Sequence, residues 1–357
     1  MSWRGPQLAR HLEAAAGALP AQLTDQEFWK LIDDLSEPSG SSRTSNLVSN
    51  EQQFQQVIPE LTRIAMAGRA YIGVGPEQNF SYIAALKPSM AFIVDVRRGN
   101  LDLHLLYKAI FELSADRAEF VSLLFSRSKP RRLHAKSTAA DIFSAYSSLF
   151  PNWQLYNDTT AAIRNQLLKK HGFDVSADDL RAIDEVHRAF YVIGAHIRYG
   201  AQAPPPFTPS TGRSTGVPWG LPIALNGPKG QPTYAELMTA ADAHGIPRGF
   251  LSTEDAFAFV KDLETRNLIV PVVGNFAGPK AIRAVGAYLK LKGDIVSAFY
   301  LSNVEEYMRR DRSWPAFCEN VSTLPLDDTS MFIRSSSRAQ SDGFLFRLGP
   351  MAEIRCR

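Results

Sequence analysis

Apolar residues recur at helical spacing through the first part of the chain and then gather into short unbroken runs separated by further helical stretches. Residues 7–16, 25–35 and 50–67 read as helices. The second opens at Thr24, and in the third Phe54, Val57, Ile58, Leu61, Ile64 and Ala65 fall on one face. Strand-like runs at 70–74 and 91–96 flank a helix at 77–86, and strand, helix, strand within roughly 30 residues is the βαβ signature of parallel neighbours. One long helix is expected at 101–125, then helices at 138–150, 158–171 and 177–198 with no strand among them. After a Pro-, Gly-, Ser- and Thr-rich stretch over 201–232, strands at 249–251, 268–273 and 295–301 alternate with helices at 234–243, 253–266 and 279–292. A helix at 314–321 precedes two closely spaced strands, 331–335 and 344–348.

The pattern predicts an α/β protein with a Rossmann-like, seven-stranded, mostly parallel sheet. Residues 1–67 form an N-terminal helical segment, 68–125 and 233–357 the α/β core, and 126–232 a helical and Pro/Gly-rich insertion placed to cap a site.

Composition narrows the partners. With 357 residues, 45% hydrophobic and 21% charged, the chain has an ordinary globular make-up and buries a core without staples. A net charge of +3, from 39 basic and 36 acidic residues, does not argue for nucleic acid. The short clusters Lys129-Pro130-Arg131-Arg132 and Arg309-Arg310-Asp311-Arg312 lack interleaved aromatics and read as solvated surface. Two cysteines, Cys318 and Cys356, exclude a disulfide framework and a cysteine-based zinc site. No apolar run approaches the ~20 residues of a membrane helix. His11 and Glu13 interrupt any signal-peptide core, so a cytoplasmic location is expected, although a leader cleaved before this numbering would leave no trace.

The sharpest local feature is Tyr71-Ile72-Gly73-Val74-Gly75-Pro76-Glu77-Gln78-Asn79, between a strand and a helix. Glycines there let backbone approach a ligand, and a helix start offers N–H groups to polar or anionic atoms. No third glycine completes the dinucleotide fingerprint, which counts against the pyrophosphate of NAD or FAD. Asp95 closes the second strand about twenty residues after Gly75, where an acid accepts hydrogen bonds from ribose hydroxyls. Its competing role is to pair with Arg97 or Arg98, or to cap a helix before Asn100.

The two glycines, the acid and the strand count resemble the class I S-adenosylmethionine-dependent methyltransferases, whose seven-stranded sheet ends in an antiparallel hairpin. The resemblance covers roughly 68–125 and 245–350. It implies that Gly73, Gly75, Pro76, Glu77 and Asp95 hold the methionine and ribose portions of S-adenosylmethionine, that Ser252 lies near the adenine, and that Asn275 joins the ligand set. The strings YIGVGPEQNFSYIAALKPSMAFIVDVRRGNL, NLIVPVVGNFAGPKA and FYLSNVEEY are also similar to an uncharacterised bacterial protein family with that kind of core. The resemblance brings no substrate: Gly274-Asn275-Phe276-Ala277-Gly278 stands where amino-methylating enzymes carry Asn-Pro-Pro-Tyr or Asp-Pro-Pro-Tyr, and there is no Pro-Cys pair.

Methyl transfer from a sulfonium needs mainly alignment, with a base only where the acceptor loses a proton. Candidate acceptor-side residues are His104 and Tyr107, three apart on one helix face, and Tyr300 and Asn303 beyond the fifth strand, with Glu305 and Tyr307 nearby. Each is also a plausible structural residue. Glu51 follows Ser49 at a helix start, where it reads as part of a cap or as a partner for the ligand's ammonium group. Seven histidines form no H-x-x-x-H or H-E-x-x-H pair, so no metal site is expected; Walker A and G-x-S-x-G strings are absent. Three functions stay open: a methyltransferase acting on a small-molecule acceptor, a non-catalytic ligand-binding or interaction protein on the same fold, and a nicotinamide- or flavin-dependent oxidoreductase.

Overall fold

The computed structural model describes residues 18–40, 46–202, 226–337 and 344–356. The helix expected over 7–16 and most of the Pro/Gly-rich stretch lie outside the described residues.

Among the described residues six strands form one mixed sheet: β1 (Ala70–Gly73), β2 (Met90–Asp95), β3 (Ile269–Val273), β4 (Val296–Ser302), β5 (Met331–Ser337) and β6 (Phe344–Pro350). The order is β3-β2-β1-β4-β5-β6. The first five run parallel, and β6 returns antiparallel to β5 at the edge. The seventh expected strand, 249–251, does not form. Phe250 N–H instead donates to Ser81 Oγ at 3.2 Å, and Leu251 and Ser252 carbonyls accept from the Arg117 guanidinium, so this backbone is satisfied by side chains in a turn. The run at 268–273 consequently takes the place beside β2.

Burial explains the strand sequences. Every residue of β1, β2 and β3 is buried, as in a sheet covered on both faces, so the runs are continuously apolar rather than alternating. Pro271 is tolerated because β3 is an edge strand. That edge is covered by the chain after α1 (Asp25–Leu35): Val273 N–H donates to Ser36 Oγ at 3.1 Å, and Glu37 N–H to the Val273 carbonyl at 2.7 Å. Helix α1 itself starts in a Thr24/Glu27 capping box and buries Phe28, Leu31, Ile32 and Leu35.

The remaining helices are α2 (Ile58–Ile64), α3 (Gln78–Leu86), α4 (Arg98–Leu113), α5 (Arg117–Phe125), α6 (Ala139–Ser147), α7 (Trp153–Asn165), α8 (Ala177–Ile193), α9 (Tyr234–Thr239), α10 (Glu254–Thr265), α11 (Ala281–Leu291), α12 (Val304–Arg310) and α13 (Trp314–Val321). The helix expected at 50–67 begins later: a 3₁₀ turn, Phe54–Val57, leads into α2, and residues 46–53 are loop and turn. The helix expected at 101–125 is two helices, because Ser114 ends α4 and Asp116 caps α5 by accepting Glu119 N–H at 2.8 Å. Helices α3, α4 and α10 pack together on one side of the sheet, while α1, α11 and α13 form a chain of contacts on the other. Helices α7 and α8 stack outside α4 and α5.

Among the described residues no helix is long and apolar enough to cross a membrane.

Candidate functional site

Sheet order reverses between β1 and β4, and side chains at the carboxyl ends of strands flanking such a switch point surround a natural crevice. A cavity of about 850 Å³ lies there. Its lining includes Val74, Gly75 and Pro76 after β1, Asp95 at the end of β2 and Arg97 after it, Gly274 and Asn275 after β3, and Tyr300, Ser302 and Asn303 at the end of β4. Asn46, Ser49 and Asn50 supply a further wall, and Tyr307, Met308 and Arg310 of α12 another. Of the described residues of the 126–232 insertion, expected to cap the site, Tyr199 lines it.

The turn after β1 is built from below. Gly73 has no room for a side chain: a Cβ there would overlap Asn79 Oδ1 and come within 2.8 Å of the Tyr71 hydroxyl. Gly75 is different. Its φ of +79° favours glycine, and a Cβ would meet nothing within 4 Å, so its surface faces open space. Asn79 staples the turn, its Nδ2 donating to the carbonyls of Val74 at 2.9 Å, Gly75 at 3.2 Å and Pro76 at 2.8 Å while its Oδ1 accepts from Tyr71 OH at 2.9 Å.

Asp95 is brought to the same cavity as Gly75 because β1 and β2 are adjacent and parallel, with Gly73 level with Ile93. Its carboxylate is gripped by Arg97: Nε and backbone N–H donate to Oδ1 at 2.8 and 2.9 Å, and Nη2 donates to Oδ2 at 2.6 Å. Three of roughly four acceptor positions are thus used, leaving one on Oδ2 for a ligand. The pair is largely buried and is itself a feature of the cavity wall.

Glu51 lies just behind the floor. Oε1 accepts from Ser302 Oγ at 2.7 Å and from Ser335 Oγ, and Oε2 accepts from Tyr300 OH and, at 3.3 Å, from Gln78 Nε2. Those four hydroxyl and amide donors use its acceptor capacity, so no lone pair is left for a ligand's ammonium, and Ser49 caps no helix, its Oγ accepting Glu51 N–H at 3.1 Å within a stretch of loop and turn. Burial raises its pKa, opposed by those same hydrogen bonds. Gln78 Nε2 also donates to Tyr300 OH, which locks Gln78, Tyr300 and Glu51 into one unit whose first two members line the cavity. Ser302 adopts φ +52° where the β4 register with β5 shifts, so the strand bends at the cavity rim.

Other expected residues sit elsewhere. His104 is buried beneath the glycine turn, its Nε2 2.9 Å from the Gly75 carbonyl, and donation to that carbonyl leaves Nδ1 as an unpartnered acceptor. Burial drives its pKa down to about 4, so the ring is neutral and works as a prop for the turn. Tyr107 packs edge-on against Phe80 and stacks on Phe120, its hydroxyl buried beside that of Tyr234. Neither His104 nor Tyr107 lines the cavity. Glu77 is also buried beneath it, with Oε1 accepting Ser49 N–H at 3.1 Å, Oε2 unpartnered, and its pKa pushed up to about 7 by burial. Ser252, with its strand replaced by a turn, belongs to the Arg117 network and not to the cavity lining. Asn275 and Asn303 both line it. Asn275 is fixed by Ala277 N–H on Oδ1 at 2.9 Å and by donating its own N–H to Glu37 Oε2 at 3.2 Å.

Glu37 carries a role that sequence reading missed. Its Oε1 accepts Lys280 and Ala281 N–H, both at 2.8 Å, and so fills the N-terminus of α11 that would otherwise attract a ligand anion. Anion recognition by this second strand-to-helix turn is thereby blocked. Among the described residues, no group of three His, Cys, Asp or Glu side chains is placed to hold a metal ion.

Comparison with known proteins assigns no chemistry to this cavity. No curated protein matches the chain. A family model described as a domain of unknown function (DUF7790) matches residues 46–167 and 231–345, a span that takes in the glycine turn, Asp95, Glu51 and the end of β4, and the chain belongs to that family.

Proposed function

We propose that the chain binds a nucleoside-bearing small molecule in the cavity at the sheet's switch point, with S-adenosylmethionine as the first candidate, and transfers its methyl group to a small acceptor. The observation that carries this reading is the convergence of Gly75 and Asp95 on one cavity from adjacent parallel strands. The open, left-handed Gly75 suits close approach of a ligand, and the remaining acceptor position on Asp95 suits one ribose hydroxyl. Arg97 orients Asp95 and is itself part of the cavity wall. Bound there, S-adenosylmethionine supplies an electrophilic methyl group. The protein's own contribution is to orient: Gln78 and Tyr300, fixed through Glu51, form a rigid part of the floor.

The placement of His104 favours a second reading. With that imidazole neutral and turned to Gly75, and Tyr107 away from the lining, neither serves the cavity as a base, and Tyr300, which lines it, donates its hydroxyl hydrogen bond to Glu51; this suits an acceptor with no proton to lose or a binding protein without turnover. Calorimetric titration of the full chain with S-adenosylmethionine, S-adenosylhomocysteine and NADH separates the readings. Saturable binding of the two sulfur nucleosides, followed by S-adenosylhomocysteine release with a panel of small acceptors, supports methyl transfer. Binding without release supports the second reading, and binding of NADH alone replaces both with a redox function.

A further inference from the structure

Trp314 and Cys318 stand four positions apart on α13 and so share a face of that helix. The Trp314 indole Nε1 donates to the Arg355 carbonyl at 2.8 Å, which holds the C-terminal segment, with Cys356 next in sequence, against the helix face that also carries Cys318. Cys318 is buried and Cys356 exposed, and both are free thiols. Burial above all, then the neighbouring Cys356 thiol, push the Cys318 thiol up to about 12, while Cys356 Sγ donates to the Ile354 carbonyl at 3.9 Å. The surroundings connect to the cavity, since the Arg309 guanidinium lies 4.0 Å over the Trp314 ring and α12, which carries Arg309, supplies Tyr307, Met308 and Arg310 to the lining.

We propose that Cys318 and Cys356 are a reversible dithiol–disulfide pair, a modification site whose closure staples the C-terminal segment to the helix behind the α12 wall of the cavity. The co-reactant is a small disulfide such as oxidised glutathione. The Cys356 thiolate attacks one of its sulfurs, forming a mixed disulfide and expelling one glutathione thiolate, which takes up a proton. Cys318 then loses its proton to solvent and attacks the Cys356 sulfur, forming the internal bond and expelling the second glutathione. The two protein thiols give up two electrons and two protons, and the small disulfide is reduced to two thiols. Exposure makes Cys356 the first to react, and burial makes the Cys318 step the slow one.

The test is incubation of the full chain with oxidised glutathione under native conditions, followed by intact-mass spectrometry and non-reducing peptide mapping. The expected product is a monomer lighter by two hydrogens, with no glutathione retained and the Cys318 and Cys356 peptides joined. Cys318→Ser is expected to stop at a lasting single adduct on Cys356, and Cys356→Ser to remain unmodified. The wild-type measurement stands even if a variant fails to fold. A wild-type chain that keeps glutathione on Cys356, links only to a second chain, or leaves both thiols free overturns the proposal.

Discussion

Glu77→Gln isolates one buried group by its pH signature. The Glu77 carboxyl is wholly buried, donates and accepts nothing through Oε2, and has its pKa pushed from 4.5 to about 7 by burial. Because the folded value lies above the unfolded one, the associated stability is fully present below about 4.5 and is lost as the pH rises through about 7. At about 1.4 kcal/mol per pH unit, the loss approaches roughly 3 kcal/mol. Glutamine keeps an oxygen for Ser49 N–H and does not titrate, so its stability relative to wild type should grow by roughly 2–3 kcal/mol between pH 5 and pH 8. Asp102 and Glu264 are likewise pushed up to about 8, mainly by burial, but both remain in each protein and cancel in the difference. Urea unfolding of the two proteins at both pH values reads the effect directly. A difference in unfolding free energy that is the same at pH 5 and pH 8 refutes a titrating Glu77.

The glycine turn yields two further predictions. Asn79→Ala removes the donor to three turn carbonyls and the acceptor for Tyr71, and should cost about 2–4 kcal/mol in urea unfolding while weakening any ligand that binds the turn. Gly73→Ala forces a methyl group onto Asn79 and Tyr71 and should cost about 1–3 kcal/mol, whereas Gly99→Ala, in the first turn of α4 with nothing within 4 Å, should be neutral or stabilising by up to about 1 kcal/mol. Thermal unfolding of the pair distinguishes a steric requirement from a general effect of losing glycine.

Local chemistry was readable in the sequence and long-range satisfaction was not. Thr24 opening α1, the apolar runs of β1, β2 and β3, and the helix from Trp314 all announce themselves within a few residues, and Gly75 and Asp95 converge because a βαβ unit fixes its strands as neighbours. The break between α4 and α5 had a signal as well, in Asp116 three residues before Glu119, but the continuous apolar pattern masked it. Gly249-Phe250-Leu251 looks like a strand because it is apolar, yet its backbone partners are Ser81 and Arg117, more than a hundred residues away in sequence. Glu51 illustrates the limit best. Its Tyr300, Ser302 and Ser335 partners come from β4 and β5, and no spacing around Glu51 reveals that their hydroxyls meet its carboxylate. Glu37 reaches Asn275 and the start of α11 in the same way. His104 shows the reverse case: a helix position shared with Tyr107 suggests an acceptor-side pair, while both side chains are buried outside the cavity lining, His104 under the turn and Tyr107 among Phe80 and Phe120.

The most direct test is the dissociation constant of S-adenosylhomocysteine for the wild-type chain beside Asp95→Asn, measured by calorimetry on proteins shown to be equally folded. Loss of a charge-assisted bond to ribose is worth about 1–3 kcal/mol, so binding should weaken roughly 5- to 150-fold in the variant. No binding to the wild type, or the same affinity in both proteins, contradicts a nucleoside held between Gly75 and Asp95.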